Sequence, residues 1–391
     1  MRTDRSHVAY RSLEGDDSDR NSKERILNQL AGRPVDRIPM LGGWNLGVDN
    51  ICRLAGVSRA QYADDPFGTV LRANRNLRVD GLVVGTIVPK PGDDLRNMHL
   101  SQSSFSHVEP EAVRRDAERL PETEAEVLRA YPAQETEAKL RSQYARFIAA
   151  IGDIVAIPTH WNSIANFSLY SHYGYEAFLA AVALYPQAVE KLFWQSAIEA
   201  RQQNLILVRL FRDLDLPPVL FCGCDICTGQ GPLVSPDFLR TSYWPHARYS
   251  IEPLLDAGIR LVYHCDGNVM PIVPDIVEAG FSGFQGFQYE YGVDPYRIRE
   301  YVRNRPPLFF AGLSVSKTLP LGTVEDVRRE VEYVMDFSRG GRGLFLFTSN
   351  VTGGDVPPEN IQAAYAHQES LLPGAMTTSQ WREWPGRRVT P

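Results

Sequence analysis

Eight short apolar runs recur along the chain, each separated from the next by a longer stretch with helical spacing. They are RIPML (37–41), LVVGTIV (82–88), DIVAIPT (153–159), PPVLFCG (217–223), IRLVYHC (259–265), GFQGFQ (283–288), PLFFAG (307–312) and GLFLFTS (343–349). Such alternation predicts βα units and a parallel sheet. Several runs are apolar on both faces, as strands covered by helices should be. Between them lie helix signals. Thr323, with Asp326 three positions on, starts VEDVRREVEYVMDF in a near capping-box pattern, and the helix after Pro271 is expected to stop at Gly280. Pro357 and Pro358 lead into another helix, and the long helical stretch 173–211 should break or kink at Pro186. Eight alternations predict an α/β fold, a (β/α)8 TIM barrel. Residues from about 90 to 150 do not fit the repeat and are expected to form an insertion after strand two, with a short β excursion (MHLSQSSFSHV) and then helices. The expected layout is a polar tail over 1–24, the barrel over 25–372 and a C-terminal tail over 373–391, in which Trp381 and Trp384 are able to dock.

Composition changes this picture only by exclusion. In 391 residues, 43% are hydrophobic and 23% charged, which excludes a mostly disordered or collagen-like chain. No stretch approaches the roughly 18–20 apolar residues that span a bilayer, so no membrane association is expected. The N-terminal MRTDRSHVAYRSLEGDDSDRNSKER lacks the apolar segment of a secretory signal, and a cytoplasmic location is expected. The net charge of −6 comes without a basic stripe, which argues against a nucleic-acid partner. Five cysteines, Cys52, Cys222, Cys224, Cys227 and Cys265, read as reduced thiols.

In a barrel of this kind the chemistry lies at the C-terminal ends of the strands. Strand five ends in YHCDGN, and alternation puts His264 and Asp266 on one face with Cys265 on the other. An H-x-D pair leaving a strand can bind a divalent metal or act as an acid–base pair whose carboxylate orients the imidazole. The plainer alternative is a histidine merely hydrogen-bonded at a strand end. Strand four ends in FCGCDIC. Its C-x-C-x-x-C lacks the paired spacing of a metal knuckle, so Cys222 and Cys224 read as small buried hydrophobes and Asp225 as the better polar candidate. Strand three delivers His160 and Asn162, strand one Trp44 and Asn45, strand six Gln288 and Glu290, and strand eight Asn350. Each alone is more often structural than functional; their shared rim is what raises them. Nucleotide-binding glycine motifs and a serine-hydrolase elbow are missing in usable context.

At these positions the chain resembles the uroporphyrinogen decarboxylase superfamily, whose barrels include porphyrinogen decarboxylases and corrinoid-linked methyltransferases. The matching runs are RILNQLAGRPVDRIPM, the segment from Asp225 through GQGPLVSPDFLR, YHCDGNVMPIVPDIVEAGFSGFQ, LPLGTVEDVRREV and DVPPENI, spread over about 25–372. The decarboxylases carry two arginines after the first strand; here Trp44 and Val48 stand in MLGGWNLGV instead. The decarboxylase aspartate after strand two falls at Gly85 or Thr86, and its late histidine is Asn350. A substrate with many carboxylates would lose its compensating cations, which argues against porphyrinogen decarboxylation. The thiol-activating methyltransferases hold zinc with H-x-C and a later cysteine; here Asp266 and Asn350 replace those cysteines. A harder set, His264 and Asp266 completed by Glu290 or Asp225, suits zinc with oxygen ligands or no metal at all.

The resemblance therefore implies a methyltransferase. It would move a methyl group between a small, methoxylated or aromatic molecule and a corrinoid carried on a partner protein. The roles it implies are catalytic for His264, Asp266, Asp225 and His160, substrate-binding for Trp44, Asn162, Gln288 and Asn350, and metal-binding for His264, Asp266 and Glu290. No corrinoid-binding D-x-H-x-x-G run is present, hence the partner. A homodimer is also implied. The alternatives are a non-porphyrin decarboxylase or lyase using a His/Asp acid–base pair, and a catalytically silent binding barrel.

Overall fold

A computed structural model describes residues 22–92, 108–303, 305–374 and 383–389. Each of the eight apolar runs contains or adjoins a strand: β1 Leu41–Gly42, β2 Gly81–Val83, β3 Val155–Ile157, β4 Val219–Gly223, β5 Arg260–His264, β6 Gly283–Gln285, β7 Leu308–Leu313 and β8 Leu344–Thr348. All pairings among them are parallel. One sheet runs β1–β2–β3 and the other β4–β5–β6–β7–β8. Single parallel bridges join the sheets at both seams, Thr159 with Phe221 and Met40 with Leu346. Backbone bonds reinforce them: Phe221 N donates to Pro158 O at 2.9 Å, and Leu346 N to Pro39 O at 3.0 Å.

Period-two alternation sorts the strand residues into two cores. Leu41, Val83, Ile157, Phe221, Val262, Phe310 and Phe345 pack on one another, with Ile26 and Leu30 of the helix Ser22–Leu30 closing the cluster. Their neighbours in sequence, such as Leu82, Cys222, Tyr263, Phe309 and Leu346, belong to the larger core that includes the helices. Val262 and His264 lie two apart on β5, so the histidine continues the self-packed face beyond its last apolar layer. Cys222 and Tyr263 fall on the opposite face.

The helix boundaries follow local chemistry. Thr323 and Asp326 exchange both capping-box bonds at the start of Val324–Phe337. Gly280, at φ +120°, ends Val273–Ala279, and the long stretch divides into Tyr175–Leu184 and Pro186–Asp213 where Pro186 removes a backbone donor. Of the expected insertion, residues 93–107 lie outside the described residues, and with them nearly all of the expected β excursion. The rest is helical, Pro110–Glu118, Glu124–Ala130 and Ala133–Ile151, and the last of these packs on β3. Trp381 is likewise outside the described residues. Trp384 is buried, and its indole N–H donates to Glu330 Oε1 at 2.8 Å on the helix Val324–Phe337. No helix among the described residues is long and apolar enough to cross a membrane.

Candidate active site

Strand register places three residues side by side: Gly223 of β4 pairs with His264 of β5, and His264 pairs with Gln285 of β6. This approach is close enough to require glycines on both flanks. A Cβ at Gly223 would come within 2.5 Å of the His264 backbone nitrogen, and one at Gly286, where φ is +91°, within 2.5 Å of Cys265 O. Gln285 is buried and fully engaged. Its Nε2 donates to Thr348 O at 2.8 Å and to Ser349 O at 2.9 Å, which fixes the amide so that Oε1 faces His264 Nδ1 at 2.5 Å. An amide oxygen accepts only, so Nδ1 carries the hydrogen.

On the other side of the imidazole, Nε2 lies 3.5 Å from Asp225 Oδ1. The backbone N–H of Asp266 donates to the same Asp225 oxygen at 2.8 Å. Asn350 Nδ2 donates to Asp266 Oδ2 at 2.5 Å, with its own carbonyl oxygen held by Val351 N. Ligand atoms of Asp225, His264 and Asp266 all lie within 4.8 Å of one another. The second Asp266 oxygen is buried with no hydrogen-bond partner. Burial pushes the Asp266 carboxyl up to about 6; His264 and the Asn350 bond oppose the shift, while Asp225 and Glu290 add to it.

Aromatic rings enclose the imidazole. The centroids of Trp44, Trp161 and Phe221 lie 5.9, 5.5 and 6.0 Å from that of His264, each ring meeting it edge to face. Trp44 also packs on Phe347, whereas Trp161 is 43% exposed and forms the outer wall. The site is thus apolar around one imidazole and two carboxylates, at the ends of β4 and β5.

Other residues singled out in the sequence are placed differently. His160 turns to Gln203 on the helix Pro186–Asp213, with Nε2 and Oε1 2.7 Å apart, and burial lowers its pKa. It does not join the Asp225–His264–Asp266 group. Asn162 is exposed on the turn Trp161–Ser163. Gln288 accepts from the Gly267 backbone at 2.6 Å and so shapes the loop that carries Asp266. Glu290 also stands outside the group: Ser316 holds one of its oxygens and the other is buried unpartnered. Of the two residues expected to complete the His264–Asp266 pair, Glu290 or Asp225, it is Asp225 that lies beside it. All five cysteines are buried and free, and none joins a potential ligand group among the described residues. Cys224 Sγ instead lies 3.2 Å from Tyr243 OH, and burial raises its thiol to about 11. Gln285 and Phe221 were not foreseen. Alternation within GFQ puts Gln285 at the strand's end, but only the β5–β6 register aims it at His264.

No family model matches the chain, and no curated protein matches it in sequence. Solved structures do match. A methyltransferase from Methanosarcina mazei superposes with a TM-score of 0.58 at 17% identity, over 89% of this chain and 98% of that one. At this identity the likeness speaks for a shared fold, a mixed α/β architecture of parallel strands and helices.

Proposed function

We propose that the chain is an enzyme of methyl transfer, moving a methyl group between a small methoxylated or aromatic molecule and a corrinoid carried on a partner protein. The observation that carries this reading is the oriented His264 imidazole facing Asp225 and Asp266 inside an aromatic wall, on a fold shared with a methyltransferase. The proposal includes a closed (β/α)8 barrel of the uroporphyrinogen decarboxylase type; the parallel bridges at both seams support closure. A homodimer and docking of the corrinoid protein over the strand-end rim belong to the same reading.

The chain's own residues divide the work. Trp44 and Trp161 present apolar faces that suit an aromatic or methoxy group and keep water from the imidazole. When a heteroatom loses its methyl group it gains an electron pair, and with no metal at Nε2 the His264 imidazole beside Asp225 is placed to pass a proton to that atom. Gln285 keeps Nδ1 engaged throughout, so the proton moves at Nε2 alone. Asn350 holds Asp266, and Gln288 holds the loop between them. One imidazole and two carboxylates, one with an unpartnered buried oxygen, fit a divalent metal such as zinc. When bound, zinc would supply Lewis-acid polarisation of the substrate heteroatom.

A second reading, a non-porphyrin carboxy-lyase, draws on the same His264–Asp225 contact as an acid–base pair. Anaerobic incubation with free cob(I)alamin and a panel of methoxylated and methylated small molecules separates the two. Methylcobalamin formation, followed by absorbance, supports methyl transfer. Carbon dioxide release from carboxylated analogues, with no methyl transfer from any donor, supports the lyase and overturns the first reading.

A further inference from the structure

Trp384 belongs to the core although the last long helix, Pro358–Ser370, ends well before it. Trp384 and Val389 are both buried, and the short turn Pro385–Arg388 lies between them. A buried indole N–H needs an acceptor, and Glu330 supplies it, with Nε1 and Oε1 2.8 Å apart. Position 386 has room for glycine alone: a Cβ there would come within 2.2 Å of the Trp384 ring and 2.7 Å of Thr318 Oγ1.

The indole meets two elements that lead to the candidate site. Its ring lies 5.5 Å, centroid to centroid, from Tyr289, in the turn that follows Gln288. Gln288 Oε1 accepts the Gly267 N–H at 2.6 Å and so holds the loop that carries Asp266. On the polar side, Glu330 Oε1 also accepts the Ser314 N–H at 3.2 Å, just past β7. The next residue, Val315, donates its N–H to Ser349 Oγ at 3.2 Å. Ser349 O in turn accepts from the Gln285 amide that orients His264. One side chain thus abuts the supports of both Asp266 and His264.

We propose that Trp384 is a positioning residue of the His264–Asp266 site, and that residues 384–389 form a strap across the segments that follow β6 and β7, with Glu330 as its clasp. The two halves of the indole do different work. The ring stiffens the turn Tyr289–Tyr291, and through it the grip of Gln288 on the Asp266 loop. The N–H fixes the Glu330 carboxyl, which keeps the Ser314–Val315 backbone against Ser349.

The role in catalysis rests on the reading that His264 and Asp266 perform the reaction. The test reads loop order rather than turnover, so the two ideas fail separately. Amide hydrogen exchange is followed by mass spectrometry on the full chain, comparing peptides over 264–268 and 313–316 with peptides over β2 and β3. Trp384→Ala removes ring and donor, and speeds exchange at 264–268 and 313–316 at least about ten-fold while β2 and β3 keep their rates. Trp384→Phe keeps a ring but no donor, and speeds 313–316 more than 264–268. Glu330→Gln, which retains the accepting oxygen, stays close to wild type, whereas Glu330→Leu matches Trp384→Phe. Where Trp384→Ala does not fold, Trp384→Phe and the Glu330 pair decide. The proposal is overturned if folded Trp384 variants exchange like wild type at both loops, if β2 and β3 accelerate as much as the loops, or if Glu330→Gln exchanges like Glu330→Leu.

Discussion

Two charge clusters sit at opposite ends of the strands, and they are built on opposite principles. Before β2, Asp80 is wholly buried and surrounded by donors: Ser22 Oγ at 2.9 Å, Arg25 at 2.5 Å, Arg37 at 2.7 and 2.9 Å, and the Met40 backbone at 2.9 Å. Asp36 supplies a second carboxylate to Arg25, so two cations meet two anions. Beyond β4 and β5, Asp225 and Asp266 face one imidazole and, among the described residues, no lysine or arginine forms an ion pair with them. The first cluster ties the helix Ser22–Leu30 to the strands it closes. The second is short of positive charge, as a site prepared to receive something is. The difference in compensation thus follows the two ends of the parallel strands.

The sharpest way to break this comparison is to remove one acid from each end. Asp80→Asn leaves two buried guanidinium groups without their carboxylate and should cost about 3–5 kcal/mol in denaturant unfolding. Asp225→Asn should change stability by less than about 1 kcal/mol, since it relieves like charge as much as it removes contact. Equal effects from the two would dissolve the contrast.

A third buried acid refines it. Glu330 is fully buried in the helix Val324–Phe337, where burial pushes its carboxyl up to about 8 against bonds from the Trp384 indole and the Ser314 backbone N–H. Glu290 adds to the rise. The folded state therefore holds this proton more tightly than the unfolded chain. Stability should fall as pH rises from about 4.5 to about 8, by at most about 1.4 kcal/mol per pH unit, and Glu330→Gln should flatten that slope. An unchanged slope in urea melts across this range would show that Glu330 does not titrate as described.

A smaller loss than at Asp80 is expected at the rim. Trp161 is 43% exposed, so Trp161→Ala should cost about 2 kcal/mol. It should nevertheless raise KM for an aromatic methyl donor several-fold, with kcat changed less. A stability loss as large as that of Asp80→Asn would make Trp161 a core residue.

How far the sequence reached follows from the same geometry. Strand positions were legible because eight apolar runs are punctuated by Pro, Gly and capping residues, and each holds or borders a strand. Asp225, His264 and Asp266 were legible as candidates because period two fixes which side chains leave a strand together. Gln285 was not, since its role depends on the stagger of β6 against β5, which neither strand encodes alone. His160 and Glu290 stand apart from the Asp225–His264–Asp266 group for a related reason. Both lie past their strands, in segments whose turns aim them at Gln203 and Ser316. The Asp80 network gave no advance signal either, because Arg25, Asp36, Arg37 and Asp80 are local to one another only after folding.

The central claim, that the pocket around His264 performs the reaction, is tested most directly by His264→Ala. Transfer of a methyl group to cob(I)alamin should fall at least about 100-fold, while the thermal midpoint stays within a few degrees of wild type. Wild-type turnover in the folded variant would contradict the account.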